Sequence, residues 1–261
     1  MDRRVSRVRS WLDATPLATL ALALMREATG RTEPPLEVIR PTRPERLRAD
    51  ARIGLWSLTG GVGTSTTAAL LAQRSAAGGH PPVLIDADRW APSLALRAGI
   101  DAATIADALV QPDRERELVS RWGEVAFLPG SPRMQTEFDG ARVAALIERL
   151  AQGRAAVIDL GAGVEALDLA ITGRLTRLCV VAGPRSSQLQ ALFCARAALR
   201  SVPCAVGLAV VGVDRPDAEL IASRTPLPLW AAIPNDPYLA RDEYAARAPT
   251  MRALDELMRA L

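Results

Sequence analysis

Short runs of apolar residues alternate with amphipathic stretches from residue 51 to the end of the chain. Some runs, such as 155–158, are apolar at every position, which is typical of strands buried on both faces of a parallel sheet. This alternation predicts a doubly wound, mostly parallel α/β sheet with right-handed crossovers. The predicted strands are 53–58, 82–85, 125–128, 155–158, 175–181, 205–213 and 229–233, and the predicted helices are 66–77, 100–110, 113–121, 140–152, 187–199, 217–224 and 250–261.

The first 50 residues follow a different pattern. Four apolar residues recur at helical spacing between arginines, residues 17–28 predict a second helix, and a Pro-rich, charged stretch follows as a linker. We therefore divide the chain into a short N-terminal helical extension with its linker, residues 1–50, and an α/β domain, residues 51–261. The basic first helix either brings residues 1–30 to a membrane surface or a partner, or packs on the domain as a solvated helix.

Composition and charge limit the classes of function. The chain of 261 residues is 49% hydrophobic, which is ample for one aliphatic core. Its net charge is only +3, and the excess lies in residues 1–50, so charge alone does not favour a nucleic-acid partner. The three cysteines form no C-x-x-C pair, which predicts buried, reduced thiols in a cytoplasmic protein without a disulfide or zinc site. The apolar face of 250–261 favours core packing over membrane binding.

A glycine-rich loop follows the first predicted strand. The sequence IGLWSLTGGVGTSTTAALLA, residues 53–72, places three glycines before a run of hydroxyl side chains and an alanine-rich helix. Glycines let backbone N–H groups turn inward, and the start of a helix adds partial positive charge, so the pattern predicts a phosphate cradle. A working P-loop has lysine directly before its Ser/Thr, where this chain has Thr64. All 32 basic residues are arginine, and codon bias toward arginine does not explain a threonine here.

Acidic residues end two of the predicted strands. Asp86 and Asp88 follow the second strand, and Asp159 follows the fourth. Ligands of open α/β sheets bind beyond the carboxyl ends of the strands, where the glycine loop also lies. Ser65 occupies the place whose hydroxyl binds Mg²⁺ in P-loops. Each aspartate is alternatively a turn or helix-capping residue, but together with the loop they favour a site of nucleotide-binding origin.

These motifs resemble those of the MinD/ParA group of deviant P-loop ATPases over about residues 51–261. The loop of that family reads K-G-G-x-G-K-[ST]-[ST], and this chain has TGGVGTST at 59–66. Four further segments resemble, in order, the family's second acidic motif, its Walker B strand, a later strand and the purine-side loop: VLIDADRWAPSLALRAGI, AAVIDLGAG, LCVVAGPRSSQL and WAAIPNDPYLA.

The resemblance implies a role for each motif residue. Asp88 would help to activate water if the site is active. The phosphates of ATP would be held by Gly60, Gly61, Gly63, Thr64, Ser65 and Thr66. Mg²⁺ would be held by Ser65, Asp86 and Asp159.

Both lysines of the family loop are replaced in this chain, by Thr59 and Thr64. In the family the first crosses a dimer interface to the partner's nucleotide, and the second contacts the β- and γ-phosphates. Their loss implies that ATP and Mg²⁺ bind weakly or not at all and that hydrolysis is weak or absent. The alternative is an active enzyme in which an arginine from elsewhere, Arg89 or Arg185, replaces the lysine.

The form GGVGTST is most similar to the CpaE/TadZ branch, whose members place pilus-assembly or secretion machinery. The resemblance implies a cytoplasmic positioning or assembly factor that acts as a homodimer with a protein partner. The factor is either free in the cytoplasm or bound peripherally at the inner membrane face. The alternative is an active ATPase of the ParA/MinD type for DNA or protein-complex partition. Scattered arginines such as Arg241 and Arg247 would serve DNA binding, although interspersed acids favour a solvated face.

Overall fold

The computed structural model describes residues 44–239 and 246–261, so the predictions for residues 1–43 and for Arg241 lie outside the described part. The described strands are β1 (Arg52–Ser57), β2 (Val83–Asp86), β3 (Ser120–Trp122), β4 (Val125–Leu128), β5 (Ala156–Ala162), β6 (Arg177–Ala182), β7 (Ala205–Val211) and β8 (Leu229–Ile233). The described α-helices are α1 (Thr64–Ala77), α2 (Leu94–Ala98), α3 (Ile105–Val110), α4 (Gly140–Leu150), α5 (Leu169–Thr172), α6 (Ser186–Ala198), α7 (Arg215–Ala222) and α8 (Ala248–Ala260).

The described strands form one sheet in the order β3-β4-β2-β5-β1-β6-β7-β8. All neighbours are parallel except β3, which runs antiparallel to β4. The parallel register sets Asp86 at the end of β2 opposite Asp159 on β5, and β1, which leads into the glycine loop, lies on the other side of β5. The predicted doubly wound, mostly parallel sheet is confirmed.

Helices cover both faces of the sheet. Leu71 of α1 and Leu254 of α8 belong to the aliphatic cluster on one face. Ile105 of α3, Leu146 of α4 and Leu192 of α6 belong to the cluster on the other. Strand residues alternate between the two clusters, which explains why the strands are apolar at nearly every position. The carboxyl edge of the sheet, where β1, β2 and β5 end, is where the loops that carry the predicted site converge.

The prediction of a helix over 113–121 was wrong. The chain makes turns there and then forms β3, which pairs with β4 through a two-residue connection at Gly123 and Glu124. Gly123 has a φ of 59°, the left-handed conformation that tight hairpins require and that glycine adopts without steric cost. The charged stretch before β3 has helical composition, but the hairpin allows Trp122 to pack on Phe127, with ring centroids 5.7 Å apart.

The helix predicted over 100–110 begins only at Ile105. The side chain of Asp107 accepts from the backbone N–H of Thr104 at 2.8 Å and from its hydroxyl at 2.7 Å. This capping interaction satisfies polar groups of Thr104 and fixes the N-terminus of the helix at this position. The other predicted helices differ from the observed ones by one to two residues at most of their ends.

None of the described helices is long and apolar enough to cross a membrane. The apolar face of α8 is buried, including Leu254 and Leu257, so this stripe packs on the core as predicted. Cys179 is also buried, and burial raises the pKa of its thiol to about 12. The prediction of buried thiols was wrong for Cys194, which is exposed, and Cys204 is only half-buried. All three cysteines are free.

One partly buried ion pair ties α8 to α1. Arg74 donates from Nε and Nη2 to the two carboxylate oxygens of Asp255, at 2.8 and 2.7 Å, and the two side chains are only 12% and 7% exposed. We expect Asp255→Asn to lower the free energy of unfolding by about 2 kcal/mol, because Arg74 loses a charged acceptor. Urea unfolding of the variant measures this loss.

The matched control is the exposed pair Arg114–Glu117, whose side chains are 62% and 64% exposed. Solvent screens this pair, so Glu117→Gln should change the free energy of unfolding by no more than about 0.5 kcal/mol. Equal losses in the two variants would contradict a stabilising role for the Arg74–Asp255 pair.

Candidate functional site

The glycine loop joins β1 to α1 in a left-handed turn. Gly61 and Gly63 have φ angles of 75° and 97°, and α1 begins directly after Gly63. Such angles are strained in residues with a Cβ atom, so the sequence needs glycine at both positions. A Cβ atom built on Gly60 or Gly61 would meet nothing within 4 Å. The loop therefore leaves an open space beside the first turn of α1, as a phosphate cradle requires.

Thr64, at the place of the family's loop lysine, is directed into the protein. It is 7% exposed, and its hydroxyl donates to the Ser57 hydroxyl at 3.0 Å. Ser57 in turn donates to the backbone carbonyl of Thr59 at 2.9 Å. These two hydrogen bonds link the beginning and the end of the loop. The loop is thus held in shape by neutral hydrogen bonds, and this position supplies no charge to the space above it.

Asp159 has a buried oxygen without a partner. The side chain is fully buried, and its Oδ1 accepts from the backbone N–H of Gly161 at 3.0 Å. Its Oδ2 has no hydrogen-bond partner among the described residues. Burial raises the pKa of Asp159 to about 6, and the charge of Asp88 adds to this, while the Ser65 hydroxyl, the Gly161 amide and Arg97 oppose it. A buried carboxylate oxygen left unpaired is expected where a cation binds.

Asp86 accepts backbone hydrogen bonds with both oxygens. Its Oδ1 accepts from the N–H of Asp88 and its Oδ2 from the N–H of Leu94, each at 3.2 Å. Burial, followed by the charge of Asp159, raises the pKa of Asp86 well above its usual range. Asp86 therefore organises the chain between β2 and α2, and it lies beside Asp159 in the sheet register.

Asp88 packs directly over the end of β5. Its Oδ1 accepts from the backbone N–H groups of Trp90 and Ala91 at 2.9 and 3.1 Å. A Cβ atom on Gly161 would lie 2.2 Å from its carboxyl carbon, and Gly161 has a φ of 70°, so glycine is needed there. The structure thus brings the three predicted aspartates together at one end of neighbouring strands, with the role of Gly161 as a finding beyond the prediction.

The oxygen ligands at this site fit a magnesium ion that keeps some of its bound water molecules. Mg²⁺ is bound through one or two carboxylates with substrate phosphates and waters, rather than by an all-protein cage. The Ser65 hydroxyl and the unpaired Oδ2 of Asp159 are oxygen ligands of the type that Mg²⁺ binds. In the described part of the chain, no group of three or more His, Cys, Asp or Glu residues is placed to hold a metal. The fit therefore depends on phosphate oxygens and water as the remaining ligands.

Two side chains that sequence reasoning did not identify contact the loop region. Arg97 of α2 donates from Nη1 to the Thr66 hydroxyl at 2.7 Å, and Gln188 of α6 donates from Nε2 to the Gly61 carbonyl at 3.4 Å. Of the two arginines considered as replacements for the lysine, Arg89 stacks on the Phe138 ring, 4.1 Å from its centroid. Arg185 is exposed at the beginning of α6.

A cavity of about 420 Å³ lies away from this site. Its lining includes Val206 near the beginning of β7 and Leu227 just before β8, so it opens at the amino ends of these strands. The lining is apolar except for three arginines and Thr225, and it contains no acid, histidine or cysteine. The cavity and the glycine loop are therefore distinct features of the described chain.

No protein-family model matches the sequence, and no curated protein matches it either. Solved structures of similar fold include MinD of Pyrococcus horikoshii in complex with Mg-ADP, which is 21% identical with a TM-score of 0.67 over 80% of this chain and 95% of that chain. The ParA family ATPase of Chlorobium tepidum is 18% identical with a TM-score of 0.65 over 81% and 100% of the two chains.

A third similar structure is the MinC:MinD cell division complex of Aquifex aeolicus, which is 17% identical with a TM-score of 0.66 over 80% of this chain and 94% of that chain. At these identities the similarity shows the fold alone. The described chain has the α/β fold of the MinD/ParA P-loop ATPases.

Proposed function

We propose that this chain is a MinD/ParA-like positioning or assembly factor with a degenerate nucleotide site. It binds Mg-ATP weakly and hydrolyses it slowly or not at all. The observation that carries the proposal is the state of Thr64, which is buried and bonded to Ser57 where the family has its phosphate-binding lysine. The glycine conformations and the unpaired Asp159 oxygen support nucleotide binding, whereas the neutral loop argues against fast hydrolysis.

The loss of nucleotide affinity can be estimated from the missing contact between lysine and phosphate. A hydrogen bond between a charged donor and phosphate contributes roughly 1.5–3 kcal/mol. Its absence weakens binding by about ten- to a hundredfold relative to a loop with lysine. The same charge is missing where negative charge accumulates during phosphoryl transfer, so turnover suffers at least as much as binding.

We infer that the chain acts as a homodimer with a protein partner. The Aquifex MinD structure is a complex with MinC, which supports a protein partner for this fold. The similarity of GGVGTST to the CpaE/TadZ branch supports pilus or secretion machinery as that partner. DNA is less favoured, because residues 51–261 are neutral overall. Thr59, which replaces the other family lysine, would leave dimer formation without a charged contact across the interface to the nucleotide.

Titration calorimetry with Mg-ATP tests the nucleotide site. We expect weak but saturable binding that disappears in Asp159→Asn, because that variant lacks the charged magnesium donor. Light scattering on the same samples measures whether a dimer forms and whether nucleotide changes its population. Micromolar binding accompanied by clear turnover would overturn the degenerate site.

An active ATPase is the second candidate, and the geometry of Asp88 favours it. Asp88 lies beside the end of β5, as a residue that orients attacking water would. If the chain hydrolyses ATP, Asp88→Ala should abolish phosphate release while nucleotide binding persists. A rate unchanged by this substitution would remove the candidate.

A further inference from the structure

We propose that Arg97 is the cation of the phosphate cradle and contacts bound phosphate from α2, which compensates only in part for the lysine that the loop lacks. The proposal rests on the proposed function, because it concerns the same site. It adds a binding residue on a different element from the loop, where the sequence motif would not place one.

Arg97 reaches the site because α2 is fixed at its beginning. The backbone N–H of Leu94, the first residue of α2, donates to Asp86 Oδ2 at 3.2 Å. The N–H of Arg97 donates to the carbonyl of Ser93 at 3.1 Å, and Gly99 ends the helix in the left-handed conformation with a φ of 64°. A buried strand-end carboxylate thus positions the short helix that directs Arg97 toward Thr66.

The guanidinium of Arg97 retains donors for an anion. Arginine has five N–H donors, and the hydrogen bond to the Thr66 hydroxyl uses one of them. Within residues 44–239 and 246–261, Arg97 has no carboxylate within ion-pair distance, unlike exposed Arg114 and Arg215, which pair with acids. Arg97 is near enough to the buried Asp159 to oppose the rise in the pKa of that carboxyl, but no ion pair fixes its guanidinium there.

The position of Thr66 places the Arg97 guanidinium next to the proposed phosphate site. Thr66 lies in the first turn of α1, which contains no acidic residue. An anion on the glycine loop would be bound by the backbone N–H groups of this turn, and the guanidinium would lie within reach of the same anion. The unpaired oxygen of buried Asp159 independently marks this end of the sheet as a ligand site. Arginine is well suited to phosphate because its fork can donate two hydrogen bonds to it.

The test compares wild type, Arg97→Ala, Arg97→Lys and the control Arg114→Ala by calorimetric titration with Mg-ADP and with inorganic pyrophosphate. We expect Arg97→Ala to weaken the binding of both probes about tenfold, and Arg97→Lys to weaken it less, because the charge is kept and the fork is lost. The binding of Arg114→Ala should equal that of wild type. The salt dependence of pyrophosphate binding should become shallower in Arg97→Ala, an effect that a purely structural role would not produce.

The melting temperatures separate binding from folding. Arg97 is exposed, so Arg97→Ala should melt like wild type. Unchanged affinities in Arg97→Ala, with wild type binding both probes, would overturn the role of Arg97 and leave the proposed function standing. Binding of pyrophosphate that depends on Arg97, with no nucleotide binding by wild type, would overturn the proposed function and support the role of Arg97. Failure of wild type to bind either probe would overturn both.

Discussion

Replacing Thr64 by lysine is expected to tighten Mg-ATP binding by about ten- to a hundredfold. The new ammonium group would restore the charged contact to phosphate that the family loop has and this loop lacks. The space beside Gly60 and Gly61 is open, so a lysine side chain that turns away from Ser57 and extends across the loop would enter it. Calorimetric titration of wild type and variant gives the ratio of dissociation constants.

The matched control is Thr64→Met, which has a long side chain without charge. Both variants lose the hydrogen bond from Thr64 to Ser57, so both should lose about 1 kcal/mol of unfolding free energy. Only the lysine variant should gain affinity. Tighter binding in both variants, or in neither, would mean that charge at this position does not limit nucleotide binding.

Asp159→Asn is expected to stabilise the ligand-free protein while abolishing its response to magnesium. The folded protein holds the pKa of Asp159 at about 6, above the value of 3.8 for an exposed aspartate. The charged form is therefore less favourable in the folded than in the unfolded state, and it opposes folding. At about pH 7.5 the difference in pKa corresponds to about 2–3 kcal/mol, which the neutral asparagine would recover.

The sign of the pH dependence follows from the raised pKa. Below about pH 4 the carboxyl is protonated in both states and has no unfavourable effect. As the pH rises through about 6, the folded protein loses stability relative to its acidic value. The variant should lack this loss, although Asp86, whose pKa burial also raises, still contributes a slope of the same sign.

Chemical unfolding of wild type and Asp159→Asn at about pH 4 and about pH 7.5 measures these differences. The two proteins should be nearly equal at the acidic pH, and the variant should be more stable at the higher pH. Adding Mg-ADP should stabilise wild type and leave the variant unchanged. An Asp159→Asn protein that is less stable at both pH values would contradict a buried carboxylate reserved for a cation.

The loop could be predicted from its local sequence, and its aspartates from the topology of a parallel sheet. The positions of Gly60, Gly61 and Gly63 define the turn locally, and parallel strands bring Asp86 and Asp159 to one edge of the sheet. The buried orientation of Thr64 could not be predicted, because it depends on a hydroxyl partner at the end of β1. The motif identified the missing charge, and the structure identified what replaces it locally.

Arg97 could not be identified from the motif because its contact spans 31 residues and depends on how α2 packs. Arg89 is nearer in sequence to Asp86 and Asp88, but its guanidinium stacks on Phe138. The helix prediction for 113–121 was wrong for a related reason. The composition of this segment suits both a charged helix and a short hairpin, and the pairing of β3 with β4 decides between them. Gly123 was the available signal for that turn.

Release of phosphate from Mg-ATP by the wild-type chain, measured with protein in excess over nucleotide, tests most directly whether this site binds without hydrolysing. The neutral, hydrogen-bonded loop at Thr64 predicts release at or only slightly above the uncatalysed rate, with most of the bound ATP recovered intact. Release far above that rate, lost in Asp88→Ala, would contradict a degenerate site and establish an active ATPase.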